Sequence, residues 1–470
     1  MLRPRTFERA EYMRDLVSKN YFKRFGERTY RPVMSLSFFA DRALSGANPR
    51  GYHIFNIALH ALAALFVLLL LHELGLGVFS ALVGALIFAS HAIQTEPVIL
   101  ASNREELLCG LFFFLSFLLY ARGGRASYAV SVAAFLLALF SKEMAAALPL
   151  ILVAYDIYSA PPEESAFSVF RSRFASYLPY FAGVAAFLIL RQTVFNNAEG
   201  SADWIGGSPF STLLTMSFVF FKYLKLLIFP LRQCADYVVP ALHSLGNIAA
   251  LLSVTGLALF IAAAVYFRGR ARYAGFAMAF FLLSFLPVSN IIPFGAAMAD
   301  RYMYIPSFAI CLALAALVER LRPGAYRFAL AFLIIASLFT LTFIREDVWR
   351  SDYSLWGDTA KCAPESAKAY LNLGNAYLRD ARPENAIQCY KKVPSRTGYY
   401  ERDKYYYNLG LALESAGKPE AARRAFESAA GANIRFPEPV IHLAFITADR
   451  GDLELGLKYV ETAVLEDVER

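Results

Sequence analysis

The sequence predicts an all-α fold: a polytopic helical membrane domain with about ten crossings and one re-entrant helix, followed by an α-solenoid of repeated helix pairs. Three observations carry that prediction. The 470 residues are 57% hydrophobic and only 18% charged, against about a quarter charged in soluble globular proteins. Apolar blocks near the length of a bilayer-spanning helix recur up to about residue 344. Beyond that point the chain changes character. Arg345–Arg470 sets 18 Lys+Arg against 20 Asp+Glu, and a unit of ~34 residues repeats there. The whole-chain charge of +8 therefore rests on the membrane part, at about +10.

Taken in order, apolar helices are expected at 51–74, 78–92, 105–121, 127–140, 144–158 and 177–190, then at 246–267, 273–292, 302–319 and 325–344. Several fall short of the ~20 residues a bilayer core requires, and span only if their flanks snorkel or the bilayer thins. The piece 210–230 carries Lys222 and Lys225, which are costly in a span unless they face protein or water. The arginine-rich loops "RGGR" (122–125), "RSR" (171–173), "RGRAR" (268–272) and "RLRPGAYR" (320–327) all fall on one side if 210–230 makes no net crossing. Short basic loops stay in the cytoplasm. Residues 93–104, 141–143, 191–245, 293–301 and the C-terminal part then face outside. Residues 1–50 are placed outside as well, although they carry 11 Lys+Arg against 5 Asp+Glu. That segment is too polar and basic to be read as a cleavable signal peptide.

The tail repeats itself. "AYLNLGNAYLRDARPENAIQCYKKV" begins at Ala369, "YYNLGLALESAGKPEAARRAFESA" at Tyr406, and a weaker copy, "VIHLAFITADRGDLELGLKYVETA", at Val440. Leu373, Leu409 and Leu443 align at spacings of 36 and 34 residues. The LG pairs at Leu373-Gly374 and Leu409-Gly410 let paired helices approach. Small residues Ala386, Ala422 and Gly456 mark the second helix, and Tyr390 and Phe426 are expected to fill space between repeats. This is the tetratricopeptide pattern, with repeats near 367–400, 403–436 and 437–470. Such stacks bind peptides or proteins on a concave face. The domains are therefore 1–50, 51–344 and 345–470. The five cysteines (109, 234, 311, 362, 389) contain no CxxC pair, so no metal site is implied, and one disulfide, Cys362–Cys389, is conceivable. No cofactor motif is evident, and nothing points to nucleic acid.

Charged residues beside membrane helices are functional candidates by default, because burying them there is expensive. Four clusters lie on the outer side: Tyr30, Arg31 and Asp41; His91, Thr95, Glu96, Arg104 and Glu105; Lys142 and Glu143; and Asp300, Arg301, Tyr302 and Tyr304. Each has a plainer alternative. Lys142 and Arg104 could be interfacial anchors, and Tyr302 and Tyr304 part of an aromatic belt. Glu96 and Glu105 could be solvated loop acids, and His91 a structural hydrogen-bond donor. Arg301 stands out. It opens a helix beside Asp300, where a guanidinium fork and a helix N-terminus could hold a phosphate together.

The stretches "YRPVMSLSFFADRALSGANPRGYHIFNIALHALAAL", "HAIQTEPVILASNREELL", "FSKEMA" and "LPVSNIIPFGAAMADRYMYIPS", with the closing repeats, resemble the TMTC family. These are transmembrane and tetratricopeptide repeat-containing proteins of the protein O-mannosyltransferase branch, with the GT-C glycosyltransferase fold. The resemblance runs from about Tyr30 to the C-terminus. It implies an enzyme that takes a sugar from a polyprenyl-phosphate carrier and places it on a hydroxyl on the outer side of the membrane. In eukaryotic members the sugar is mannose and the acceptor a protein Ser/Thr, which the repeats present or recruit. In the family a first transmembrane helix precedes an outer loop whose acidic pair supplies the catalytic carboxylate. This chain opens at "MLRPRTFERAEYMRDLVSKNYFKRFGERTYRPV", which resembles the end of that loop without an Asp-Asp pair. The acidic loop is thus expected to be missing, with Glu8, Glu11 and Asp15 as nearby substitutes and Glu96 as a further base candidate.

The task implied is substitution at an anomeric carbon with a lipid phosphate leaving. The acceptor needs a general base and the leaving phosphate a cation. Arg301 is expected on the phosphate, assisted by Lys142 or Arg104, with Glu96 and Asp41 orienting these groups or the sugar hydroxyls. No metal is required. The alternative is a catalytically inactive or truncated, membrane-anchored tetratricopeptide scaffold that recruits protein partners. The membrane part shows no internal repeat of the kind many transporters carry. Short loops favour a bacterial inner membrane with periplasmic repeats; an endoplasmic reticulum membrane with lumenal repeats is the other possibility.

Overall fold

The computed structural model describes residues 30–193, 203–294, 296–396, 401–433, 436–449, 451 and 453–468, and every regular element among them is helical. Two compact units form. One gathers the chain to Gln233 together with Val239–Glu346. The other joins Asp347–Arg470 to the short segment Cys234–Val238.

In the first unit, α1 (Pro32–Ser45) and α2 (Pro49–Glu73) both open on proline, which a first helical turn accepts because its N–H has no partner there. Helix α3 (Val78–Ser90) stops at His91 and resumes, through a 3-10 turn, as α4 (Thr95–Ile99), bent by 47°. Gly123 and Gly124, both at positive φ, turn the chain from α5 (Arg104–Arg122) into α6 (Arg125–Ser141). A 3-10 turn at Glu143–Ala147 leads into α7 (Leu148–Ser159). Then come α8 (Ala166–Thr193), α9 (Pro209–Ile228), α10 (Ile248–Phe267), α11 (Arg272–Phe285), α12 (Phe308–Arg320) and α13 (Ala325–Val348). Aromatic rings interlock at the centre, where Phe114 meets Phe88 at 5.4 Å and Phe308 at 5.6 Å.

Among the described residues, α2, α8, α9, α10 and α13 are long and apolar enough to cross a membrane, and the bent α3–α4 pair makes a sixth candidate. Ten crossings would have to count the shorter helices as well. Four expectations differ in detail. Helix α11 ends at Phe285, not at 292, because Leu286–Val288 tightens into a 3-10 turn and Asn290 takes a left-handed φ of 53°. Helix α8 starts eleven residues before 177 and runs straight through "RSR", so that stretch is not a loop; Arg173 is drawn in by Asp156 on α7, 2.9 Å away. Helix α12 begins at Phe308, not Tyr302, because Asp300–Met303 forms a separate 3-10 turn. The 209–228 segment is one helix without a break, with Lys225 exposed in its last turn and Lys222 half-buried against Phe218.

In the second unit, α14 (Asp352–Cys362) packs on α15 (Ala367–Arg379), and the helix pairs α15–α16 (Pro383–Tyr390), α17 (Arg402–Ser415)–α18 (Pro419–Ala432) and α19 (Pro437–Ala448)–α20 (Leu453–Val468) follow. The LG pairs have a steric reason. A Cβ on Gly374 would lie 2.5 Å from the Tyr390 ring, and one on Gly410 2.5 Å from the Phe426 ring. Each aromatic thus fills the bare spot on the first helix of its own repeat and also meets the next repeat, Tyr390 edge-on to Tyr405 at 6.3 Å and Phe426 stacked on His442 at 4.8 Å. The pairing Cys362–Cys389 does not form. Cys362 is bonded to Cys234, and Cys389 is free.

Candidate functional site: a charged cluster around Tyr302

The segment before α12 is held rigidly, which matters because it carries Arg301. Tyr223 on α9 donates its hydroxyl hydrogen to the Ala299 carbonyl (3.1 Å) and accepts the Ala299 N–H (2.7 Å). Asn290 sits at φ 53°, a left-handed conformation asparagine tolerates, and braces the preceding loop through Phe294 N–H and the Ala296 carbonyl. Gln94 donates to Ser307 Oγ at 2.8 Å, tying the segment to the turn after His91.

Arg301 is gripped twice by Glu96. Its guanidinium lies 2.5 Å from Glu96 Oε1, and its backbone N–H donates to Glu96 Oε2 at 3.0 Å. That backbone N–H is therefore spent, and the expected phosphate site at a helix N-terminus is not available here. The guanidinium keeps 28% exposure and stacks on Tyr302, 4.9 Å from the ring centre. Burial would lower its pKa, but Glu96 outweighs burial and holds it above its usual value.

Lys142 reaches the same ring from another side, 5.6 Å from its centre. Its ammonium pairs with Glu106 and lies 3.7 Å from Glu105. Burial would lower it, and Glu106 and Glu105 together raise it instead. Arg31 extends the network, 3.0 Å from Glu105 and 3.5 Å from Glu143. Burial works to raise the Glu143 carboxyl, but Arg31 and Lys142 overcome it and bring it down to about 2. Tyr30 packs edge-on against Phe140. Arg31, Glu96, Glu105, Lys142, Glu143, Arg301 and Tyr302 thus converge on one cluster.

The other expected site residues do not join it in the same way. Arg104 has no exposed surface. It lies 2.6 Å from Asp41, donates to Asn56 Oδ1 (2.8 Å) and the Tyr52 carbonyl (3.1 Å), and stacks between Phe38 and Phe55. With its fork consumed this way it ties α1, α2 and α5 together and has no face left for a phosphate. Asp300 is buried and turned toward Arg345, 3.9 Å away. His91 accepts the Ile93 N–H on Nδ1, which leaves Nε2 to donate to the Leu227 carbonyl at 2.9 Å; it makes the α3–α4 break. Thr95 is buried beside Glu96. Tyr304 is no belt residue. It is fully buried, pairs with His60 at 2.9 Å, and lies on Gly110, where a Cβ would meet its ring at 2.4 Å. Sequence reasoning missed Glu106, although a doubled acid opening an apolar helix was the available signal. It also missed Tyr223 and Asn56, for which no local signal existed. No group of three or more potential metal ligands occurs among the described residues.

A helical unit with apolar membrane-length helices and a charged cluster at one end, in the same chain as a helix-pair repeat unit, defines a narrow class of protein. A family model for the tetratricopeptide repeat matches residues 367–393 and 403–433. A protein O-mannosyl-transferase of Caenorhabditis elegans is 26% identical, with 81% of this chain and 56% of that protein covered. Protein O-mannosyl-transferase TMTC3 of Homo sapiens is 24% identical over 82% of this chain and 47% of its own length. For TMTC1 of Homo sapiens the figures are 25%, 81% and 49%. The chain is TMTC-like over about four fifths of its length, as its motifs implied, and it spans about half the length of the curated relatives it matches. A crystal structure of MamA covers 44% of this chain and 95% of that one at 16% identity and a TM-score of 0.24, too slight a likeness to carry an argument.

Proposed function

We propose that this chain is a membrane glycosyltransferase that moves a sugar, mannose by analogy with its relatives' names, from a polyprenyl-phosphate carrier to a protein hydroxyl on the extracytoplasmic side. The observation that carries the reading is the convergence of Arg301 and Lys142 on the Tyr302 ring, each backed by buried carboxylates. A guanidinium has five N–H donors. Glu96 and the Tyr302 hydroxyl engage two of its arms, so a phosphate can share Arg301 with Glu96 rather than displace it. As the glycosidic C–O bond breaks, negative charge grows on the leaving phosphate, and two fixed cations stabilise it most at that moment. Glu96, Glu105, Glu106 and Glu143 each face a cation, which suits them to hold those cations in place. The candidates for the base that takes the acceptor's proton stay Glu96 and, outside the described residues, Glu8, Glu11 and Asp15. Arg104 becomes a structural tie and not a phosphate ligand. The repeats present the acceptor.

The test is transfer from a panel of polyprenyl-phosphate sugars to peptide acceptors. Arg301→Ala should abolish donor use while the protein still inserts and folds. Arg301→Lys should rescue only partly, since a point charge does not reproduce the planar fork. Near-normal turnover by the alanine variant would reduce Arg301 to an anchor and sink the phosphate assignment.

A further inference from the structure

Five residues of the connection between α9 and α10, Cys234–Val238, belong to the repeat unit although the chain on either side of them does not. They are fastened at the junction of α14 and α15. Cys234 is disulfide-bonded to Cys362, the last residue of α14, with the Cα atoms 6.2 Å apart. Asp236 Oδ2 accepts from Ser366 Oγ at 2.7 Å, and Oδ1 lies 3.9 Å from Lys368 Nζ. Ser366 is itself the N-cap of α15, accepting the Ala369 N–H. The Tyr237 hydroxyl accepts the Cys234 N–H at 3.1 Å and fixes the shape of the segment. The remaining cysteines are set apart: Cys109 and Cys311 are buried within helices, and Cys389 is half-buried on α16.

We propose that Cys234–Cys362 is a redox-dependent strap, formed by thiol–disulfide exchange on the extracytoplasmic side, that holds residues 234–238 on the α14–α15 junction. Forming the bond removes two protons and two electrons from the thiols. A thiol oxidoreductase in its disulfide form accepts the electrons and leaves as the dithiol, through a mixed disulfide. Such oxidants persist in the periplasm and the endoplasmic reticulum lumen, and cytosolic thiols stay reduced. Because α9 ends at Ile228, shortly before Cys234, that end of α9 lies on the oxidising side. The strap shares the outer-side placement of the proposed function but needs no sugar transfer.

The experiment counts thiols on the full chain taken from native membranes. Denatured in the presence of a mass-adding maleimide, the protein should take three tags, and five after reduction. Five tags before reduction overturn the strap. Cys389→Ser should take two tags and then four, whereas Cys234→Ser or Cys362→Ser should each take four in both states. Any tag gain on reduction in these last two variants would assign the disulfide elsewhere. Applied to sealed membranes from the outer side, an impermeant phosphine should raise the count from three to five. A count still at three, rising only once the membrane is opened, overturns the placement. Reduction should also speed protease cleavage within 229–247, and an unchanged rate would mean that the bond braces nothing. Transfer is assayed separately: a three-tag protein with no transfer retains the strap and loses the enzyme reading, and an active five-tag protein does the reverse.

Discussion

Arg104 and Arg301 show how one residue type at similar sequence positions takes opposite roles. Both were legible in the sequence as arginines beside membrane helices. Their fates are decided by what the fold brings to them, and that was not legible. Asp41, Asn56, Tyr52 and two aromatic rings close around Arg104 from helices far apart in the chain. Arg301 keeps an open edge beside Tyr302. Removing Arg104 leaves the Asp41 carboxylate buried without its cation, a change that costs about 3–5 kcal/mol in comparable buried pairs. Arg104→Ala should therefore lower the melting temperature in detergent and reduce the amount of folded protein, with activity per folded molecule nearly kept. A variant with normal melting and selective loss of donor binding would return Arg104 to the phosphate.

At the scale of elements, periodicity and punctuation located most helices to within a few residues, because each apolar run ends in glycine, proline or charge. The exceptions have physical causes. Arginines at 171 and 173 read as a loop, but arginine is a good helix former, and Asp156 on α7 supplies the partner that lets the helix run through. His91 breaks α3 through a side-chain bond to a backbone N–H that no spacing rule announces. The repeats were the most legible part, since each glycine–aromatic pair lies within one repeat. Filling that space should be costly: Gly410→Val places carbon against the Phe426 ring, and overpacking of this kind destabilises by roughly 1–3 kcal/mol. The expected result is faster proteolysis across α17–α18, with thiol counts at Cys234 and Cys362 unchanged. Equal proteolysis of variant and parent would mean that the ring moves aside freely.

For the molecule in its membrane, orientation rests on where the arginine loops gather, and the fold supplies a reason beyond counting charges. Arg122 lies 3.4 Å from Glu73 at the end of α2, and Tyr273 donates to the Leu74 carbonyl next to it. Arg268 donates to the Ile157 and Glu164 carbonyls, and Arg173 pairs with Asp156. Arg327 holds both Ser80 and Glu319. These ties draw the four arginine-rich stretches to one end of the first unit, whereas the Tyr302 cluster is built from the opposite ends of α3–α4, α5 and α6. Excess Lys/Arg in short loops would hold that end in the cytoplasm, the orientation proposed above. Single cysteines introduced as Gly124→Cys and Arg270→Cys should thus react only with reagent that enters the cytoplasm. A cysteine placed at the exposed start of the loop that leads to Arg301, as Ile292→Cys, should react from outside. The pair of results is more demanding than either alone, because an inverted protein exchanges both and a mixed population gives partial labelling at all three. Outside labelling at 124 and 270 together would overturn the orientation, and with it the placement of the Tyr302 cluster on the side proposed for sugar transfer.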